Sequence, residues 1–162
     1  IEASAAIINS GKFALYGAEP KSEQEARAGM RDYLEQVYKM AKWGKFSVLG
    51  HLTLPLRYLN QLRGFRLTYD GFEAEIEEIF RALLDRGWGI EVNTNRGNTP
   101  LPDAKWLKLY RQMGGEIITL GSDAHDPSFV GCRIKETQEL LRSCGLRYTT
   151  PFDKHKPEFH PL

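Results

Sequence analysis

Four times along this chain an amphipathic segment of helical period runs into a glycine, and a short apolar segment follows at once. DYLEQVYKMAKWG leads to KFSVLGH, FEAEIEEIFRALLDRG to WGIEVNT, DAKWLKLYRQMGG to EIITLGSDAH, and TQELLRSCG to LRYTTPF. The segments share no obvious identity, so what repeats is architecture. A helix with one apolar stripe must bury that stripe. A strand that is apolar on both faces must be covered on both. Alternating the two through short connections implies a parallel sheet flanked by helices, an α/β fold that is either a barrel or doubly wound.

Spacing supports each element. Met30, Leu34, Val37, Tyr38 and Ala41 fall on one helical face, as do Phe72, Ile76, Ile79, Phe80, Leu83 and Leu84. Ser22 with Glu25, and Asp70 with Glu73, have the spacing of N-terminal capping boxes. Gly44, Gly87, Gly114 and Gly145 stand where helices end, behind Lys42, Arg86, Arg111 and Arg142, the charge that a helix C-terminus favours. Strands are expected at 46–49, 90–92 and 117–120. Trp43, Trp88 and Trp106 read as packing residues. The tail PFDKHKPEFHPL, rich in proline and charge, reads as an irregular extension closing the domain.

Composition excludes several classes. At 162 residues the chain suits a single domain over 1–162 with a real core. A net charge of +1 and the lack of a basic stripe argue against nucleic acid or an anionic membrane as partner. No apolar run approaches the roughly 20 residues that span a bilayer, and the first residues lack the pattern of a signal peptide. Cys132 and Cys144 stand singly, which fits unpaired thiols in a reduced, cytoplasmic protein. The chain begins at Ile1 and not at methionine, as a piece of a longer protein would.

Chemistry collects at the expected strand ends. The first ends in His51, the second carries Glu91, Asn93 and Thr94, and the third ends in Ser122, Asp123 and His125. In parallel α/β folds these ends converge on one rim, where active sites are built. Asp123 and His125, two apart in an extended segment, point the same way. They offer oxygen and nitrogen donors suited to zinc, manganese or iron(II), and His51 adds a third. A metal there lowers the pKa of a bound water, so that hydroxide is at hand near neutral pH, and it offsets charge on a phosphoryl oxygen. The plain alternative is a capping aspartate beside a hydrogen-bonded histidine. Arg57 and Arg96 follow strand ends and could grip a phosphate, or could form ordinary surface ion pairs. Glu91, inside an apolar strand, needs an arginine, a metal or a substrate ammonium. His155 and His160, in the polar tail, are weaker ligand candidates.

GKFSVLGHLTLPLRY, GIEVNTN and GGEIITLGSDAHDPSFVG, in that order and with the closing FDKHKPEFHPL, closely resemble the histidinol-phosphatases of the polymerase-and-histidinol-phosphatase (PHP) superfamily. The resemblance runs from about Gly44 to the end and extends to the helix before it. It implies part of a distorted (β/α)7 TIM-like barrel, with up to three divalent metals (manganese, zinc or iron) at the C-terminal rim. The reaction implied is hydrolysis of L-histidinol phosphate to L-histidinol and phosphate in histidine biosynthesis. His51 matches the third-motif histidine ligand, and Asp123 and His125 match the fourth-motif ligands. Arg57 and Arg96 lie where the family places phosphate-contacting arginines, although NTNRGN is shorter than the usual loop.

The chain also departs from that family. The family's opening His-x-His strand, its metal-bridging glutamate and a further histidine are not evident. In ASAAIINSGKFALYG, Ile7 stands where a histidine is expected, and isoleucine cannot ligate. The expectation is therefore the C-terminal part of a PHP barrel with an incomplete site, paired with a missing N-terminal piece or self-associated. Two alternatives stay open: a non-catalytic PHP-like module that binds a partner or itself, and a different PHP phosphoesterase.

Overall fold

In the computed structural model, which describes residues 19–162, helix α1 (Glu23–Trp43) leads to β1 (Val48–Leu49), α2 (Glu73–Leu84) to β2 (Gly89–Asn93), and α3 (Ala104–Gln112) to β3 (Ile118–Gly121). Helix α4 (Ile134–Ser143) then leads to β4 (Tyr148–Thr149). The Ile7 alignment lies outside the described residues. The three strands form one parallel sheet in the order β1-β2-β3. Leu49 pairs with Ile90, and Ile90 with Ile118. The chain is thus mixed α/β, and the helix–strand alternation is the one its periodicity implies.

Helix α1 starts where Ser22 caps it. The hydroxyl accepts from Glu25 N at 3.2 Å, while the Glu25 carboxylate takes the N–H of Lys21, one residue before the cap. It stops at Gly44, whose N–H reaches Met40 O in a left-handed turn at φ 70°. Its face Met30, Leu34, Val37 and Ala41 is buried, with Tyr38 at the margin. The capping box expected for α2 is absent. Phe72 stands at the cap with no side-chain bond, and Asp70 and Glu73 both turn to the Lys105 ammonium instead. An ammonium binds a carboxylate more strongly than a backbone N–H does, so a tertiary partner overrides the local motif.

The core lies between α1, α2, α3 and the sheet. Ile76, Ile79, Phe80, Leu83, Leu107, Tyr110, Leu49, Ile90, Val92 and Ile118 are all fully buried. Phe80 and Tyr110 meet edge to face with ring centroids 5.1 Å apart. The strands are offset slightly from expectation. The first is only two residues long, because Phe46 leaves the sheet to pack on Trp88 at 5.0 Å. Trp106 is buried as expected, but Trp43 is 60% exposed, which corrects its reading as a packing residue.

The tail is not irregular. β4 pairs antiparallel with β7 (His160–Pro161), and β5 (Phe152–Asp153) with β6 (Lys156–Pro157). Prolines tolerate such edge positions because no ladder donor is required of them. Thr150 seals the tail to the sheet by donating both its N–H and its hydroxyl to Ile118 O, at 2.7 and 3.0 Å. Among the described residues no helix is long and apolar enough to cross a membrane.

Gly44 offers a test of this packing. A Cβ there would stand 2.2 Å from Cη2 of Trp88, on a backbone that L side chains rarely adopt. Gly44→Ala is expected to destabilise the fold by about 2 kcal/mol, read as a lower urea midpoint with an unchanged slope.

Candidate functional site

All three parallel strands end in the same unusual way. His51 follows β1 with φ 60°, Asn95 and Arg96 follow β2 with φ 52° and 54°, and Asp123 follows β3 with φ 48°. Left-handed backbone costs an L residue roughly 1–2 kcal/mol, and such strain gathers where function needs it. Unsatisfied polarity gathers here too. Among the described residues, His51 Nδ1, Thr53 Oγ1, Asn93 Nδ2 and Thr94 Oγ1, all in the strand-end segments, are buried without a hydrogen-bond partner, and elsewhere only Tyr69 Oη is. Buried polar atoms are nearly always paired, so this concentration marks the rim as a place kept for something else.

Arg57 binds the rim together. It opens a π-helical turn (Arg57–Leu62) just after β1 and is 7% exposed. Its Nε donates to Asn95 Oδ1, its Nη2 to Asn93 Oδ1 and its Nη1 to Asp123 Oδ2, each at 2.8 Å. Asn93 Oδ1 also accepts from Asn95 N at 2.8 Å, and Asn93 and Leu101 exchange both backbone bonds at 2.9 Å. Residues 94–100 are thereby closed into a loop. Within it Arg96 is exposed, and no acceptor meets its guanidinium among the described residues. Of the two arginines singled out by sequence, one is buried and engaged while the other is open to solvent.

Burial opposes ionisation of Asp123. The hydrogen bond from Arg57, and the charges of His51, Arg57 and His125, together outweigh that effect and hold its carboxyl below the usual carboxylate range.

The candidate ligands meet only in part. His51 is fixed through its carbonyl, which accepts from the Tyr33 hydroxyl at 2.5 Å and from Leu54 N at 3.1 Å. Among the described residues its ring makes no hydrogen bond: Nδ1 is orphaned, and Nε2 stands 3.8 Å from both Glu91 Oε2 and Asp123 Oδ2. His125 folds back so that Nδ1 lies 2.9 Å from Asp123 O. A carbonyl only accepts, so Nδ1 carries the proton and Nε2 presents a lone pair, the arrangement found in metal-binding histidines. His155 and His160 take no part. His155 bonds Ser47, at the opposite end of β1, and His160 faces Glu158.

This donor set suits a divalent metal in its chemistry. Two ligands of one tetrahedral ion lie about 3.4 Å apart at the usual bond lengths, so the approaches at His51 are a few tenths of an ångström too wide. Among the described residues no group of three or more His, Cys, Asp or Glu side chains is assembled so as to hold a metal ion. His51 faces Asp123 and His125 adjoins it, but together they close no coordination shell among the described residues. Sequence reading missed Asn95 and Tyr33. Asn95 had a signal, since asparagine before Arg-Gly readily turns left-handed. Tyr33 had none, because its partner is eighteen residues away.

The grip of Arg57 on Asp123 has a pH signature. A carboxyl held below its ordinary pKa adds stability above that ordinary value and loses it as pH falls through the folded one. Arg57→Met should cost about 3 kcal/mol at neutral pH, because it takes the donor from a partly buried carboxylate and from two buried amide oxygens. The difference from the unaltered protein should shrink below about pH 4, where Asp123 can take up a proton. Urea midpoints measured at pH 7 and at pH 3.5 check this.

No family model matches the sequence. It is 32% identical to a protein named probable histidinol-phosphatase from Thermotoga maritima over 121 residues, 73% of this chain and 49% of that protein. A protein of the same name from Clostridium acetobutylicum is 28% identical over 102 residues, 61% of this chain and 40% of that protein. Among solved structures, the fold matches histidinol phosphate phosphatase from Lactococcus lactis subsp. lactis Il1403, complexed with zinc, L-histidinol and phosphate. That match has a TM-score of 0.64 at 19% identity and covers 89% of this chain and 54% of the other. The strand-end site thus lies on a fold shared with a protein that binds zinc and phosphate, and the chain is a homologue of the histidinol-phosphatases that spans about half their length.

Proposed function

We propose that the protein containing this chain is a metal-dependent phosphomonoesterase that hydrolyses L-histidinol phosphate to L-histidinol and phosphate, in cytoplasmic histidine biosynthesis. The observation that carries this reading is the His51 ring. It is bonded at neither nitrogen and faces Asp123 and Glu91 at 3.8 Å across the ends of parallel strands. A buried nitrogen left without a partner, as Nδ1 is, costs about 1–3 kcal/mol, which a ligand would return. The names of the relatives and of the structural neighbour support the same reading.

In this proposal His51, Asp123 and His125 hold divalent metal, either zinc, manganese or iron. When bound, such an ion acidifies water and offsets phosphoryl charge. Tyr33 keeps His51 in its left-handed turn, and Arg57 keeps the Asp123 carboxylate ionised and oriented. Arg96, exposed on the loop after β2, donates to the phosphate oxygens, and Arg57 supports it from the buried side. Glu91 accepts from the cationic end of the substrate. The described sheet is then part of a (β/α)7 barrel of the PHP kind. Residues 1–162 would form its C-terminal portion, and the remaining metal ligands would come from the part of the parent protein that this chain does not span.

The test is phosphate release by the full-length gene product carrying this chain, with zinc or manganese added. L-Histidinol phosphate should be strongly preferred over other phosphomonoesters. His51→Ala and His125→Ala should each lower kcat/KM by at least about a hundredfold. Equal rates on all esters would refute the substrate, and full activity in both variants would refute the site.

A further inference from the structure

Asn93 closes the central strand, and its amide is held at one end only. Oδ1 accepts from Arg57 Nη2 and from Asn95 N, each at 2.8 Å. Two donors on one atom identify it as the oxygen and hold the amide in place. Nδ2, at the other end, is shut off from solvent and has no hydrogen-bond partner among the described residues. Water therefore does not satisfy it. The orphaned hydroxyls of Thr53 and Thr94 could each donate or accept, so they say little about what they await. An amide nitrogen only donates, so what Nδ2 awaits is an acceptor.

We propose that Asn93 is a phosphate-binding residue of this site, whose Nδ2 donates to an oxygen of the phosphomonoester. This rests on the phosphomonoesterase reading and adds a neutral donor to the two arginines which that reading assigns. Residues two apart on a strand share a face, so Asn93 lies on the face of β2 from which Glu91 meets His51 at 3.8 Å. Arg57 spans from Asn93 to Asp123 with 2.8 Å bonds to each, so the amide stands one guanidinium's width from the carboxylate that follows β3. An acceptor that comes to Nδ2 thus comes beside the Arg57 cation, on the strand that runs into the loop of the exposed Arg96. Positive charge on both sides favours an anionic oxygen over a neutral one. The groups that cover Nδ2 give way as the ester seats, so the bond forms on binding and not before. Since no water holds that nitrogen, none has to be stripped from it.

The substitution Asn93→Asp isolates the orphan. A carboxylate oxygen can still accept from Arg57 and from Asn95 N, and only the donor is replaced. Inorganic phosphate is titrated by calorimetry into the full-length gene product, with zinc present, as the unaltered protein and as Asn93→Asp. Thr99→Asp, which adds the same charge at an exposed position of the loop, controls for charge alone. Phosphate affinity should fall at least about tenfold further in Asn93→Asp than in Thr99→Asp. An equal fall in the two would overturn the inference. Should circular dichroism show that Asn93→Asp does not fold, the unaltered protein still decides the matter by nuclear magnetic resonance. On phosphate addition the side-chain amide protons of Asn93 should move downfield. Amide signals unmoved at saturating phosphate would overturn the inference and leave the phosphomonoesterase reading standing. An unaltered protein that binds no phosphate would overturn both.

Discussion

The guanidinium of Arg57 donates at 2.8 Å to Asn93, Asn95 and Asp123, and in doing so joins the ends of two strands to the turn that follows a third. A planar fork with several fixed donors can hold acceptors from separate segments in one geometry, which a flexible ammonium cannot do as well. The buried position makes those bonds strong, and it makes each of them costly to lose. Without this anchor, Asp123 would be a carboxylate buried against its own preference. The loop bearing Arg96 would also lose the Asn95 contact that shapes it.

The same rim carries the backbone strain. His51, Asn95, Arg96 and Asp123 all occupy left-handed conformations, and tertiary contacts hold those that can be traced. The Tyr33 hydroxyl reaches down from α1 to the His51 carbonyl, and the Arg57 guanidinium takes the Asn95 amide oxygen. Strain held by surrounding structure pre-organises side chains, so that a ligand need not do the ordering when it binds. Two rigid supports, a packed helix and a covered sheet, make that possible for strands as short as two to five residues.

The balance of charge at the rim follows from these placements. Asp123 is matched by a buried arginine, Arg96 is left open to solvent, and Glu91 lies in a slot walled by glycine backbone. An imidazole stands between the two carboxylates without bonding to either. Charges of both signs and an imidazole that bonds neither carboxylate therefore share one rim.

Local sequence determined the alternation of helix and strand, because a period near 3.6 with a terminal glycine, followed by a wholly apolar run, has few other solutions. It also determined that His51, Glu91, Asn93 and Asp123 would gather, since parallel strands place all their C-terminal ends on one rim. Tertiary structure alone decided what those residues do for one another. Arg57 reads locally as a surface cation, yet its acceptors are 36 to 66 residues away, so its burial is invisible to any window of sequence. The Asp70–Glu73 pair has the spacing of a cap and lost that role to Lys105, more than thirty residues downstream. The tail, whose prolines suggest disorder of shape, was drawn into short antiparallel pairs beside the edge of β3. Periodicity is a property of neighbours along the chain, whereas partner choice depends on which distant groups folding brings within about 3 Å.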